Sequence, residues 1–201
     1  MKNVPIFLFI ICLIIALITG CNDLPPSIAE VPAEEIAPQT PDLNDDNTAI
    51  YDVDDEDPYR ISNGIFLGLQ PGESFVDYQE GLREETLKSG AVSHRAWYID
   101  GAEGNELGYV LPDPRDAGTV RSIVITSPDV VTEKGIRVGY EFPELMQRLG
   151  TLSLHGSEIE SRVYADEGNL RYRLDMASTK QNIKSSEVPA GTKVTEIWIV
   201  E

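Results

Sequence analysis

Cys21 is the side chain in this 201-residue sequence with the most legible chemistry. It closes the run Ile18-Thr19-Gly20-Cys21 at the end of an almost wholly apolar stretch, with Lys2 ahead of it and Val4 to Leu17 as its apolar centre. A thiol in that setting, behind two small residues that fit a peptidase pocket, is expected to take up diacylglycerol and to become the N-terminus on cleavage. Two or three acyl chains, at about 0.8 kcal/mol per buried methylene, would hold the protein on a membrane. A transmembrane helix is the weaker reading: it needs about 20 apolar residues, and this stretch is short and runs straight into acidic, proline-rich sequence.

The other reactive residue types form no comparable pattern. His94 and His155 both precede predicted strands, in roughly matching positions of the two halves, and only Ser157, Glu158 and Glu160 lie near either in sequence, which falls short of a zinc-ligand set. Ser157 lacks the strained Gly-x-Ser-x-Gly elbow of a hydrolase nucleophile. The loop Gly101-Ala102-Glu103-Gly104-Asn105 has no lysine and leads into a strand rather than a helix, so it reads as a hairpin and not as a phosphate cradle. Glu84-Glu85 and the pair Glu158 and Glu160 sit too close in sequence to flank a sugar as an acid/base pair. No catalytic residue, metal site or cofactor site is assigned. Only Cys12 and Cys21 are present, so the part of the chain beyond Cys21 carries no disulfide.

These residues divide the chain into residues 1–20 as signal, 21–58 as a lipidated cysteine with a tether, and 59–201 as a domain. Between Asn22 and Pro58 there are twelve Asp and Glu, no Lys or Arg, and six prolines, a composition that cannot bury enough apolar surface to fold. Its 37 residues would span roughly 120 Å fully extended and about 35 Å as a coil. Asp42-Leu43-Asn44-Asp45-Asp46-Asn47 begins like a calcium loop but has Asn47 at the turn glycine and Val53 where the bidentate Glu belongs. The full sequence holds 34 acids and 16 bases; without the twelve tether acids and Lys2, 22 acids and 15 bases remain. Most of the acidity therefore belongs to the tether, and without a basic stripe nucleic acid is not an expected partner.

The domain reads as two copies of one unit, 61–128 and 132–200. Gly64-Ile65-Phe66-Leu67-Gly68 returns as Gly135-Ile136-Arg137-Val138-Gly139, and Gly118-Thr119-Val120 with Ile123 and Ile125 returns as Gly191-Thr192-Lys193-Val194 with Ile197 and Ile199. Phe142, Leu145, Met146 and Leu149 share a helical face, with Pro143 in the first turn and Gly150 at the stop; in the first copy Phe75, Tyr78 and Leu82 form a weaker stripe interrupted by Gly81. Leu107, Tyr109 and Leu111, and again Leu170, Tyr172 and Leu174, alternate as strands do, behind the hairpin pairs Gly104-Asn105 and Gly168-Asn169. The expected fold is α+β, an antiparallel-sheet-rich domain with few short helices built by tandem duplication of a helix-plus-sheet unit. Tandem units of this type resemble those of envelope proteins that bind other proteins, the β-lactamase inhibitory protein among them, an analogy at the level of fold only.

Aromatic residues gather on the strand-forming segments. Trp97, Tyr109 and Tyr172 with Arg171 and Arg173 are the candidate interaction surface, while Trp198, between Ile197 and Ile199, is expected to pack in the core or between the halves.

The runs Gly118-Thr119-Val120-Arg121-Ser122-Ile123, Ser127-Pro128-Asp129-Val130, Thr132-Glu133-Lys134-Gly135-Ile136-Arg137-Val138-Gly139 and Lys193-Val194-Thr195-Glu196-Ile197-Trp198 resemble the RpoE-regulated lipoprotein family. The resemblance covers about residues 61–200 and implies an envelope lipoprotein with a domain of unknown function and no established catalytic residues. With Asn22, not Asp, behind Cys21, the expected location is the periplasmic face of the outer membrane. The expected function is a non-enzymatic binding module for an envelope protein or cell-wall component, linked by the resemblance to envelope stress. The alternatives are a cell-wall or lipid hydrolase, for which a deep polar cleft with His94 or His155 beside a carboxylate would speak, and a carrier with a closed apolar cavity between the halves.

Overall fold

Alternating apolar residues in the second half of each copy dictate strands, and these pair into one sheet. The computed structural model describes residue 54 and residues 56–89 and 92–201; the signal, Cys21, the calcium-like run and nearly all of the tether lie outside the described residues. The elements are β1 (Arg60–Ile61), β2 (Arg83–Ser89), β3 (Val92–Asp100), β4 (Glu106–Pro112), β5 (Val120–Ile125), β6 (Val131–Thr132), α1 (Phe142–Leu149), β7 (Ser153–Gly156), β8 (Arg162–Glu167), β9 (Leu170–Ala177) and β10 (Val194–Ile199).

Eight strands form a single antiparallel sheet in the order β2-β3-β4-β5-β10-β9-β8-β7. That order is symmetric about its centre. The last strand of each half meets the other there, with Ile123 opposite Ile199 and Ile125 opposite Ile197. The short strands that open the halves, β1 and β6, pair with each other in parallel, Arg60 beside Val131 and Ile61 beside Thr132. The order of elements on one side of the sheet centre is thus mirrored on the other.

The helical segments differ between the halves. α1 begins where the Glu144 carboxylate accepts the Glu141 amide at 2.9 Å and ends at Gly150, whose φ of 74° suits glycine. It buries Phe142 and Leu145. The first half has only a 3-10 turn at Val76–Gly81 with no buried residue; Phe75, just before it, makes the core contact instead, edge-on to Trp97 at 5.1 Å. Among the described residues no helix is long and apolar enough to cross a membrane.

One face of the sheet is covered. Ile61, Phe66, Phe75, Ile136, Phe142 and Leu145 join Trp97, Val110, Ile123, Ile125, Tyr172, Leu174, Ile197 and Ile199 in a single apolar cluster, and each such side chain contributes about 1.5–3 kcal/mol through burial. Because side chains alternate across a strand, the remaining residues point the other way. There Ala96, Tyr109, Leu111 and Val124 make a second, smaller cluster, flanked by Leu87, Tyr98 and Trp198.

Candidate functional site

The uncovered face carries a cleft of about 740 Å³, within the range of about 300–1,000 Å³ usual for small-molecule sites. Its floor comes from the middle of the sheet: Tyr109 and Leu111 of β4, Glu196 and Trp198 of β10, Arg171 of β9, Arg162 and Tyr164 of β8. One wall is built by Leu87, Lys88, His94 and Arg121, the other by His155 and the loop Gly156–Glu160 with Gln181. The register explains the floor. Trp198 stands opposite Val124 on one side and opposite Arg171 on the other, while Glu196 faces Arg173 and Arg173 faces Tyr164.

Ion pairs knit this floor together. Glu196 binds the Arg173 guanidinium and accepts the Trp198 indole N–H at 2.7 Å. Arg171 Nε donates to Asp166 Oδ1 at 2.7 Å and its guanidinium lies over the Tyr164 ring at 5.5 Å. Arg162 meets Glu160 at 3.1 Å, and Gln181 donates to Glu158 at 3.1 Å. Burial, reinforced by the charge of Glu196, pushes the Tyr109 hydroxyl far above the ordinary tyrosine range, so it is a neutral hydrogen-bonding group throughout physiological pH.

The two histidines, His94 and His155, one from each half of the domain, line the same cleft. His155 Nδ1 lies 3.4 Å from Asp166 Oδ2 and its ring is 5.8 Å from that of Tyr164. A His–Asp pair can orient an imidazole as a base, but a nucleophile must also be within its reach. Ser157 Oγ instead accepts the Glu160 amide at 3.2 Å, and among the described residues no hydrogen bond joins a serine to either imidazole. No group of three or more His, Cys, Asp or Glu among the described residues converges at metal-holding distance.

The candidate surface read from sequence is split by the fold. Tyr109, Arg171 and Arg173 stand on the uncovered face. Trp97 and Tyr172 do not: they are 4% and 0% exposed and belong to the core of the covered face. Tyr172 lies between Arg171 and Arg173 on one strand, so strand alternation alone forbids all three from sharing a face. Trp198, read as core or inter-half packing, does bridge the halves at the β5–β10 junction, but from the uncovered side. Lys88, Arg121, Arg162, Asp166 and Glu196 were not singled out as site residues from the sequence, although Arg121 and Glu196 lie within the motif runs. A signal existed for three of them, in the polar set that alternates with Val163 and Ala165 in β8 and with Ile197 and Ile199 in β10.

Arg137, within one of the motif runs, makes contacts that hold the fold together. The Arg137 guanidinium donates to the carbonyls of Asp129 at 2.7 Å and Pro128 at 3.2 Å and meets Asp57 at 3.4 Å, clipping the entry of the domain to the loop after β5.

Fold and cleft together define a sheet-rich α+β domain with one covered face and one ligand-accessible face. No family model and no curated protein matches the chain. Among solved structures it is similar to the uncharacterized protein YfeY from Escherichia coli, at 15% identity over 60% of this chain and 81% of that chain, with a TM-score of 0.38.

Proposed function

We propose that this chain is an envelope lipoprotein of the RpoE-regulated kind, anchored through acyl chains on Cys21 to the periplasmic face of the outer membrane, and that its domain is a non-enzymatic binding module. The observation that carries the reading is the uncovered sheet face, where Trp198, Tyr109, Tyr164 and four arginines or lysines surround one cleft. Trp, Tyr and Arg are the residue types that supply most binding energy at interfaces. The Cys21 setting supports the anchor, and the acidic tether would let the domain stand off from anionic headgroups.

A photo-reactive amino acid at Leu111, inside the cleft, is expected to capture a defined envelope component in intact cells, while the same group at Val76, outside the cleft, captures none. The second reading, a wall or lipid hydrolase, is favoured by the His155–Asp166 pair. Turnover of such a substrate by the purified protein, abolished in His155→Ala, with no capture at Leu111, would replace the binding reading with the enzymatic one.

A further inference from the structure

We infer that the cleft takes a short saccharide bearing one acidic group, a carboxylate or phosphate, at the end of the cleft formed by Lys88, His94 and Arg121. The inference rests on the binding reading above and specifies its ligand. Three features of the cleft lead to it.

The floor is electrically compensated. Arg171 is matched by Asp166, Arg173 by Glu196 and Arg162 by Glu160. A charged group placed over these pairs would displace one partner and leave a half-buried charge unpaired, which is costly. Hydroxyl groups face no such penalty. Each carboxylate keeps lone pairs and each guanidinium keeps N–H donors beyond those already used, so a polyol can add hydrogen bonds to the network without breaking it.

The floor also offers one platform for an apolar ring face. Trp198 is half-buried, with the Val124 and Tyr109 cluster on its inner side and Tyr164 edge-on at 6.4 Å. Its indole N–H is already spent on Glu196, which fixes the ring plane. A pyranose presents C–H groups on one face and hydroxyls around its rim, the pattern that an aromatic platform ringed by ion pairs accommodates.

The far wall breaks the compensation. Lys88 and Arg121 line the cleft, and no carboxylate among the described residues lies within ion-pair distance of either. His94 stands beside them. Two uncompensated cations stand at one end of a groove whose floor pairs are compensated, while Glu158, which accepts only the neutral Gln181 amide, stands on the opposite wall; this polarity selects a ligand with its single anionic group at the Lys88 and Arg121 end, because a group of opposite charge there gains attraction without losing an existing pair.

The test uses the full-length protein and three probes of one backbone: N-acetylglucosaminyl-N-acetylmuramic acid, its methyl ester, and chitobiose. Trp198 fluorescence and titration calorimetry are expected to show saturable binding of all three, at least tenfold tighter for the free acid. In Lys88→Ala/Arg121→Ala that preference falls to within twofold while affinity for the ester is retained; in Trp198→Ala all three bind at least tenfold more weakly. The corresponding disaccharide with a phosphate in place of the lactyl carboxylate separates the two anion chemistries, and a preference for either supports the inference. Equal affinity for acid and ester in the wild type, or no saturable binding of any probe, overturns it. Should Leu111 capture a protein in cells while no saccharide binds, the ligand class is wrong and the binding reading stands; should neither occur, both fall.

Discussion

The indole N–H of Trp198 donates to Glu196 Oε2 at 2.7 Å, two residues back on the same strand, while the other oxygen of that carboxylate holds Arg173 on the next strand. The Glu196 side chain is only 13% exposed, so one carboxylate fixes both the ring and the cation at the centre of the cleft.

Replacing Glu196 with Gln keeps an acceptor for the indole but leaves Arg173 without its counter-charge. The expected cost is about 1–2 kcal/mol in urea unfolding, reduced from the value for a fully buried pair because Arg173 retains some contact with water. Glu196→Ala should cost more and also shift Trp198 emission, since the ring loses its only hydrogen bond. Identical midpoints for all three proteins would show that the pair does not hold the floor.

Tyr172 tests the covered face. Its ring is fully buried, yet its hydroxyl has no hydrogen bond of normal geometry; its polar neighbour is the Thr132 hydroxyl, which accepts the Ile136 amide at 3.0 Å. Tyr172→Phe is therefore expected to leave stability within about 0.5 kcal/mol of wild type or to raise it, whereas Tyr172→Ala opens a cavity costing about 3–5 kcal/mol. A loss above 1 kcal/mol for the Phe variant, by denaturant unfolding, would reveal a hydrogen bond at that hydroxyl.

Two glycines separate steric from conformational demands. A methyl group on Gly108 would lie 2.1 Å from the Val124 carbonyl oxygen across the β4–β5 pair, so Gly108→Ala should cost about 3 kcal/mol or more as the strands part. Gly104 has open space but a φ of 80°, and Gly104→Ala should cost only about 1 kcal/mol. The reverse order would mean that the sheet yields at its centre more readily than its hairpin turns.

Alkaline titration follows from burial. Desolvation raises the hydroxyls of Tyr98, Tyr109, Tyr164 and Tyr172 above their ordinary value near 10. A group whose folded-state value is raised contributes stability that is present below about pH 10 and is lost as pH climbs toward the folded-state value. Stability should thus decline above pH 10, and ultraviolet titration should show these four tyrosines ionising only above pH 10. Ionisation of the four near pH 10, without unfolding, would contradict the burial.

Much of the fold is legible in particular residues. The stripe Phe142, Leu145, Met146 and Leu149 with Gly150 behind it gives α1, and Gly168-Asn169 gives the β8–β9 hairpin, because each reflects local periodicity or turn chemistry that acts within a few residues. The faces of the strands were harder. β3 carries Trp97 and Ile99 on one face and Ala96 and Tyr98 on the other, so both faces look apolar and alternation does not say which one is covered. In β9 the alternation of Leu170, Tyr172 and Leu174 with two arginines already separates Tyr172 from Arg171 and Arg173, which the candidate surface had joined, and the structure places Tyr172 in the core.

The sequence by itself determined the antiparallel hairpins, the α-helix Phe142–Leu149 and the repeated order of elements, because these depend on neighbours in the chain. Only the tertiary structure decided that β5 and β10 meet at the centre, that His94 and His155 line one cleft, and that Glu196 joins Trp198 to Arg173. Those relations join residues far apart in the chain and depend on strand register and on which sheet face the helix covers, and no local pattern of residues encodes either.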